Sequence, residues 1–275
     1  MRFLNKISLG QFIPGDSFIH RLDPRCKIVG IFLLLTGLFM ASELLDFALW
    51  ALLLCVFSRL SGISVSTILR AGKPVVFLVI ITTAINLFWT PGREIASIGP
   101  LRITGEGVIV AISMGLRLFL LVIFASMLMM TTSPMEFSDG LERLLSPFGL
   151  FGLPTAEMAM MMTIALRFIP TLFEETDRIL KAQISRGADF ESGGILKRAR
   201  SFLPVLIPLF VLVFQRAENL ATAMEARCYS PGAKRTRLNP LRWTSSDNLA
   251  LAALVIFIAI VLVIDHVYAR NVAFF

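Results

Sequence analysis

Apolar residues fill uncharged runs at 28–42, 47–58, 74–92, 107–135 (interrupted only by Arg117), 201–215 and 248–264. A helix needs about 20 residues to cross the hydrocarbon core, with a lower limit near 17. The runs at 74–92, 107–135 and 248–264 therefore predict membrane spans. Those at 28–42 and 47–58 are short for a span each. They predict a helical hairpin if Lys27, Glu43, Asp46 and Arg59 reach out to the two interfaces. About five spans follow from this count.

Between residues 134 and 243 the pattern changes. Charges return every few positions, while apolar residues persist at helical spacing. Met158, Met161, Met162, Ala165, Leu166, Ile169 and Leu172 keep the i, i+3, i+4, i+7 rhythm, with Glu157, Arg167, Glu174, Glu175 and Arg178 between them. A second such helix is predicted over 195–229, bent by Pro204 and Pro208, and a shorter one over EFSDGLERLLSPFGL. These three read as amphipathic helices lying against the cytoplasmic face or dipping partly into it. GADFESGG breaks the chain after the Met158 helix and SPGAKRTRLNP after the helix over 195–229. An alternative makes MAMMMTIALRFIPTLF and SFLPVLIPLFVLVF two further spans. The expected division is a four-span membrane region over 1–133, coupling helices over 134–243 and a final span over 244–275.

Composition supports the membrane class. The chain has 275 residues, 56% hydrophobic and 16% charged, with a mean hydropathy of +0.78; a soluble domain carries about 25% charge. The net charge of +7 would suggest nucleic acid in a soluble protein. Here it reads as topology, and no nucleic-acid partner is expected. With a cytoplasmic N-terminus, 22 of the 26 Lys+Arg fall inside, Arg93, Arg102 and Arg270 outside, and Arg117 within a span. That asymmetry orients the chain. The opening MRFLNKISLGQFIPGD lacks the apolar core of a signal peptide, so no cleaved leader is expected.

Enzyme chemistry finds no footing. No phosphate-cradling glycine loop, HExxH, GxSxG or CxxC pair occurs. The three cysteines (Cys26, Cys55, Cys228) are scattered, and His20 and His266 lie far apart. No metal, cofactor or catalytic residue is implied. Arg117 is the one charge in the middle of a span. It is either a functional group or an arginine packed in the bundle against a carbonyl or carboxylate.

Two predicted helices end alike, in Ser185-Arg186-Gly187 and Ala226-Arg227-Cys228. A cation in a last helical turn, followed by a small residue, is an ordinary way to end a helix. Two such ends on consecutive helices also read as a pair of docking plugs, because arginine presents a permanently charged planar fork to a carboxylate or carbonyl. Glycine takes φ > 0 readily and cysteine does not. The first helix should thus stop at Gly187, and the second should run on through Tyr229. Met158, Met160, Met161 and Met162 crowd five positions; such flexible thioethers either fill a core or suit a surface that accepts several partners.

The fragments GQFIPGDSFIHRLDPRCKI, TTAINLFWTPG, TTSPMEFSDGLERLLSP, IALRFIPTLFEE, AQISRGADF and AMEARCYSPG, in this order, resemble the transmembrane T component of energy-coupling factor (ECF) transporters. These belong to the vitamin and metal uptake branch of the ABC family. The resemblance runs nearly end to end, with Cys228 standing where the second motif usually has glycine. It implies an all-α polytopic protein of a bacterial or archaeal cell membrane. Arg186 and Arg227, with their flanking Ser185, Gly187, Ala226 and Cys228, would dock into two ABC-type ATPase subunits. The amphipathic helices would support one or several substrate-binding S components, with Met158, Met161 and Met162 on the contacting face. The rival readings are a stand-alone secondary transporter and a membrane-bound enzyme.

Overall fold

The computed structural model describes residues 12–41, 43–98, 101–151, 154–190, 194–230 and 241–272. Most of the SPGAKRTRLNP breaker and residues 191–193 of the other lie outside them. The chain forms two compact units, one of Gly10–Leu141 with Pro240–Phe275, the other of Glu142–Asn239 together with Met1–Leu9.

The first unit is a helical bundle. It contains α1 (Phe18–Arg21), α2 (Pro24–Met40), α3 (Leu44–Ser61), α4 (Val65–Ala71), α5 (Lys73–Trp89), α6 (Gly105–Thr131) and α11 (Ser245–Val272), and α7 (Pro134–Leu145) begins in it. Trp50 of α3 is fully buried at the centre, edge-on to Phe124 of α6 and Phe257 of α11 at 5.9 and 5.3 Å. Leu34, Leu38, Leu54, Ile68, Ile123 and Met127 pack around it.

The most extensive helix–helix contact among the described residues is α5 with α6, and the sequence of α6 explains it. Gly107, Ala111 and Gly115 recur every fourth residue and form a smooth stripe, the small-residue device that lets membrane helices approach. A Cβ on Gly107 would sit 3.0 Å from the Leu87 carbonyl oxygen, and one on Gly115 would sit 2.7 Å from Thr83 Oγ1.

Several expectations are refined. Within the described residues, four helices, α3, α6, α10 and α11, are long and apolar enough to cross a membrane, and α4 with α5, bent by 63°, makes a fifth only if the pair is counted as one span. The 17-residue α2 is not among them. The helix α10 (Leu203–Ala226), placed above at the membrane face, is. A two-stranded antiparallel hairpin, Glu94–Ile98 with Leu101–Thr104, joins α5 to α6 and has no counterpart in the expected helices.

The snorkelling assigned to Lys27 and Asp46 is overturned. Lys27 is 8% and Asp46 0% exposed. Both find partners inside: Lys27 donates to the His20 and Thr131 carbonyls, each at 3.0 Å, and Asp46 closes a capping box at the start of α3 by accepting the Glu43 N–H. Glu43 and Arg59 are exposed, as expected.

Arg117 is packed in the bundle. Its guanidinium donates to the Ala41 carbonyl at the end of α2 and lies 5.8 Å from the Phe47 ring. A cation on the last carbonyls of a helix is favourable, while the buried Arg117 Nε has no hydrogen-bond partner.

The second unit is built on α8 (Thr155–Ser185) and α10, with the short α9 (Ile195–Ser201) before the latter. α8 carries Pro170 and α10 carries Pro208 in their interiors. Glu175 of α8 accepts from Arg216 of α10 at 2.9 Å, and Gln183 donates to the Pro204 carbonyl at 3.3 Å. Moving forward along α8 therefore means moving backward along α10: the two helices are antiparallel.

Candidate functional site

Both arginine motifs turn out to be backbone twins. α8 ends with Arg186 as its cap (φ −87°, ψ 7°) and Gly187 at φ +87°. The Gly187 N–H donates to Ile184 and the Ala188 N–H to Gln183, at 2.9 and 3.0 Å. This is a Schellman motif, in which a left-handed residue turns the chain back onto the open carbonyls. α10 ends the same way, with Arg227 as its cap (φ −92°, ψ 15°) and Cys228 at φ +57°. The Cys228 N–H donates to Glu225 and the Tyr229 N–H to Met224, at 2.9 and 3.0 Å.

The expectation for Cys228 fails. α10 stops at Ala226 and does not continue through Tyr229, and Arg227 sits at the cap. A left-handed non-glycine residue costs about 1–2 kcal/mol. Two closing hydrogen bonds, each worth about 1 kcal/mol net, offset that cost. Pro231 follows in the sequence and disfavours helical geometry for the residue before it, so the helix had little further to go.

Arg186 and Arg227 are exposed, as are Ser185, Gly187, Ala226 and Cys228. Among the described residues no ion pair holds either guanidinium. The ends do not lie side by side. Glu175 and Arg216 meet where the helices cross, and each is eleven residues before its own helix's arginine. At 1.5 Å per residue the arginines point away from this crossing in opposite directions, on the order of 30 Å apart.

Met158, Met161 and Met162 are 49%, 58% and 46% exposed and fill no core within the chain. On α10, Leu203, Leu206, Ile207, Phe210, Val211 and Phe214 are also exposed, following helical spacing along one face.

The pattern of apolar runs marked Lys27 only as an interface residue and gave no reason to group Asp23, Arg25 and Lys27 with Asp247. Asp23 is 6% and Asp247 0% exposed. Asp247 Oδ1 accepts the Asp23 N–H at 2.8 Å, and its other oxygen accepts the Thr244 N–H and hydroxyl, both at 2.7 Å. Asp23 accepts the Arg25 N–H, Nε and Nη2 at 2.8–2.9 Å, while the Arg25 guanidinium lies 5.4 Å from the Trp243 ring. Burial pushes the Asp23 carboxyl up, but these Arg25 bonds outweigh it and hold the group below its usual range. Burial likewise holds the Lys27 ammonium below its ordinary value. The available signal was a tight alternation of charge at the entrance to an apolar run, which periodicity ignores.

A lipid-length series of apolar helices, small-residue helix packing and internally satisfied charges together define a polytopic α-helical membrane protein. Residues 15–238 match the family described as cobalt transport protein, CbiQ. The chain is 51% identical to the energy-coupling factor transporter transmembrane protein EcfT of Thermanaerovibrio acidaminovorans, over 97% of this chain and 99% of that protein. It is 50% identical to EcfT of Thermosediminibacter oceani (91% and 94%) and 40% identical to EcfT of Bacillus subtilis (94% and 97%). The chain belongs to this family of energy-coupling factor transporter transmembrane proteins, and its role is in transport.

Proposed function

We propose that this chain is the coupling subunit of an uptake complex. Two cytosolic ATPases dock on it, one at Arg186 and one at Arg227, and a separate S component binds the vitamin or other micronutrient. It lies in a bacterial or archaeal cell membrane with its N-terminus cytoplasmic, the side favoured by the distribution of Lys and Arg. The observation that carries the reading is the pair of exposed, arginine-capped helix ends closed by the same Schellman motif. Their separation favours two sockets over one. Arginine, with small residues on either side, lays a planar fork flush against an acceptor. The exposed Met158, Met161 and Met162 offer a deformable apolar surface on which S components of different sequence can seat.

Purification of the complex from native membranes tests this directly. The wild-type chain is expected to bring down two ATPase subunits and at least one small membrane protein. The double variant Arg186→Glu/Arg227→Glu is expected to fold and to lose both ATPases. Normal ATPase stoichiometry in that variant would reduce the arginines to ordinary helix ends.

A further inference from the structure

Four charged residues meet in the bundle, in a chain where charge is scarce. Asp23, Arg25, Lys27 and Asp247 comprise two carboxylates and two cations, and each has a hydrogen-bonding partner. Replacing such a group by apolar packing is often neutral or stabilising, so a buried ionic cluster is weak evidence of a stability role. Its directional bonds do something else: they fix which backbone segments it holds.

Those segments are the ones that lead out of the bundle. Beyond residue 10 the chain passes between the two units at Leu141/Glu142 and again at Asn239/Pro240. On the outgoing side, Lys27 binds the carbonyl of Thr131, the last residue of α6, at 3.0 Å. Three residues later α7 begins, and its Gly140 lies so close to Pro24 that a Cβ there would be 2.9 Å from Pro24 Cβ and 3.2 Å from the Pro24 carbonyl carbon. On the returning side, the Asp23 N–H binds Asp247 in the first turn of α11. Cys26 Sγ donates to the Asp247 carbonyl at 3.6 Å, and Arg25 covers Trp243. One segment, Asp23 to Lys27 at the start of α2, therefore grips both connections.

We infer that Asp23, Lys27 and Asp247 are positioning residues for coupling, which carry displacement of the 132–141 and 241–244 connections into α2, α6 and α11. The inference rests on the coupling role proposed above. Pulling on either connection moves a hydrogen-bonded backbone, not a deformable apolar contact. α2 then follows both connections together.

The test compares Lys27→Met and Asp247→Asn with wild type, each in the complete complex with its ATPases and S component. Hydrogen exchange is followed with and without ATP. In wild type, ATP is expected to change exchange in α8 and α10 and also in α2 and the start of α11. In both variants the change in α8 and α10 and the hydrolysis of ATP should persist. The change in α2 and α11 should shrink by about tenfold, the scale of one lost charge-assisted bond. If Lys27→Met fails to fold, Asp247→Asn is read together with Asp247→Ala, which removes the acceptor of the Asp23 N–H altogether, and the pair decides. Transmission to α2 and α11 equal to wild type overturns the inference, as does loss of exchange changes in both units together. A wild-type chain that recovers no ATPase takes down the docking reading and this inference with it. Recovery of ATPases with unaltered transmission in the variants strikes only the inference.

Discussion

The two units of this protein bury their side chains to very different degrees. In the bundle, Trp50, Phe124, Leu38, Ile68 and Ile123 are sealed from solvent, with Leu34, Leu54, Leu120 and Met127 nearly so. In the Glu142–Asn239 unit, Val205 is the one buried hydrophobic among the described residues. Two helices of 31 and 24 residues thus cross without a core. They are held by the Glu175–Arg216 ion pair, whose side chains are 17% and 33% exposed, and by the Gln183–Pro204 bond. Partly exposed pairs of this kind contribute about 0–1 kcal/mol. The bundle specifies its own shape. The helix pair depends on what covers its apolar faces, and few buried apolar contacts place it at the low-stability end of the chain.

The sharpest way to break this comparison is at the helix ends. Arg186→Ala or Arg227→Ala should cost about 2–5 kcal/mol of ATPase docking, at least roughly 30-fold in affinity. Thermal unfolding of the chain alone should be nearly unchanged, because a helix-end cation contributes only about 0.3–1 kcal/mol. Binding and melting measured on the same detergent preparation check both halves. Arg→Lys should restore docking in part, since lysine keeps the charge but loses the fork. Equal losses of binding and stability would mean that the helix pair is as self-supporting as the bundle.

In the bundle the expectation reverses. Gly107→Leu forces side-chain atoms against the Leu87 carbonyl in the α5–α6 seam, and overpacking of this kind costs about 1–3 kcal/mol. The melting temperature should fall, while ATPase affinity per folded molecule should not. The smallest effect is expected at Cys228. Cys228→Gly relieves a left-handed cysteine and should strengthen the α10 cap by about 1 kcal/mol, slowing exchange of the Tyr229 amide roughly fivefold. Unchanged or faster exchange there would show that the cysteine side chain itself stabilises the cap.

The sequence disclosed what depends on counting and spacing. Runs of apolar residues marked the helices, Gly187 marked the end of α8, and the two arginines stood out because each sits between small residues at a helix end. It hid what depends on tertiary partners. Nothing local distinguishes a lysine that snorkels from Lys27, which stays inside because the His20 and Thr131 carbonyls happen to face it. The Gly107, Ala111 and Gly115 stripe was visible as a four-residue repeat, but helix hydropathy treats glycine as nearly neutral and passes over it. Cys228 misled because residue preference was weighed without the two backbone bonds and the Pro231 that outweigh it. The opposed direction of α8 and α10 was beyond reach, since periodicity records which face of a helix is apolar and not which way a neighbour runs.

That opposed direction has a mechanical consequence. The Glu175–Arg216 contact lies eleven residues from either arginine, so each arginine stands about 16 Å from it along its own helix, on opposite sides. The Gln183–Pro204 bond ties the Arg186 arm a second time, so the arms match in length and differ in restraint. If partners dock at both arginines, as proposed above, their forces enter this helix pair from opposite ends.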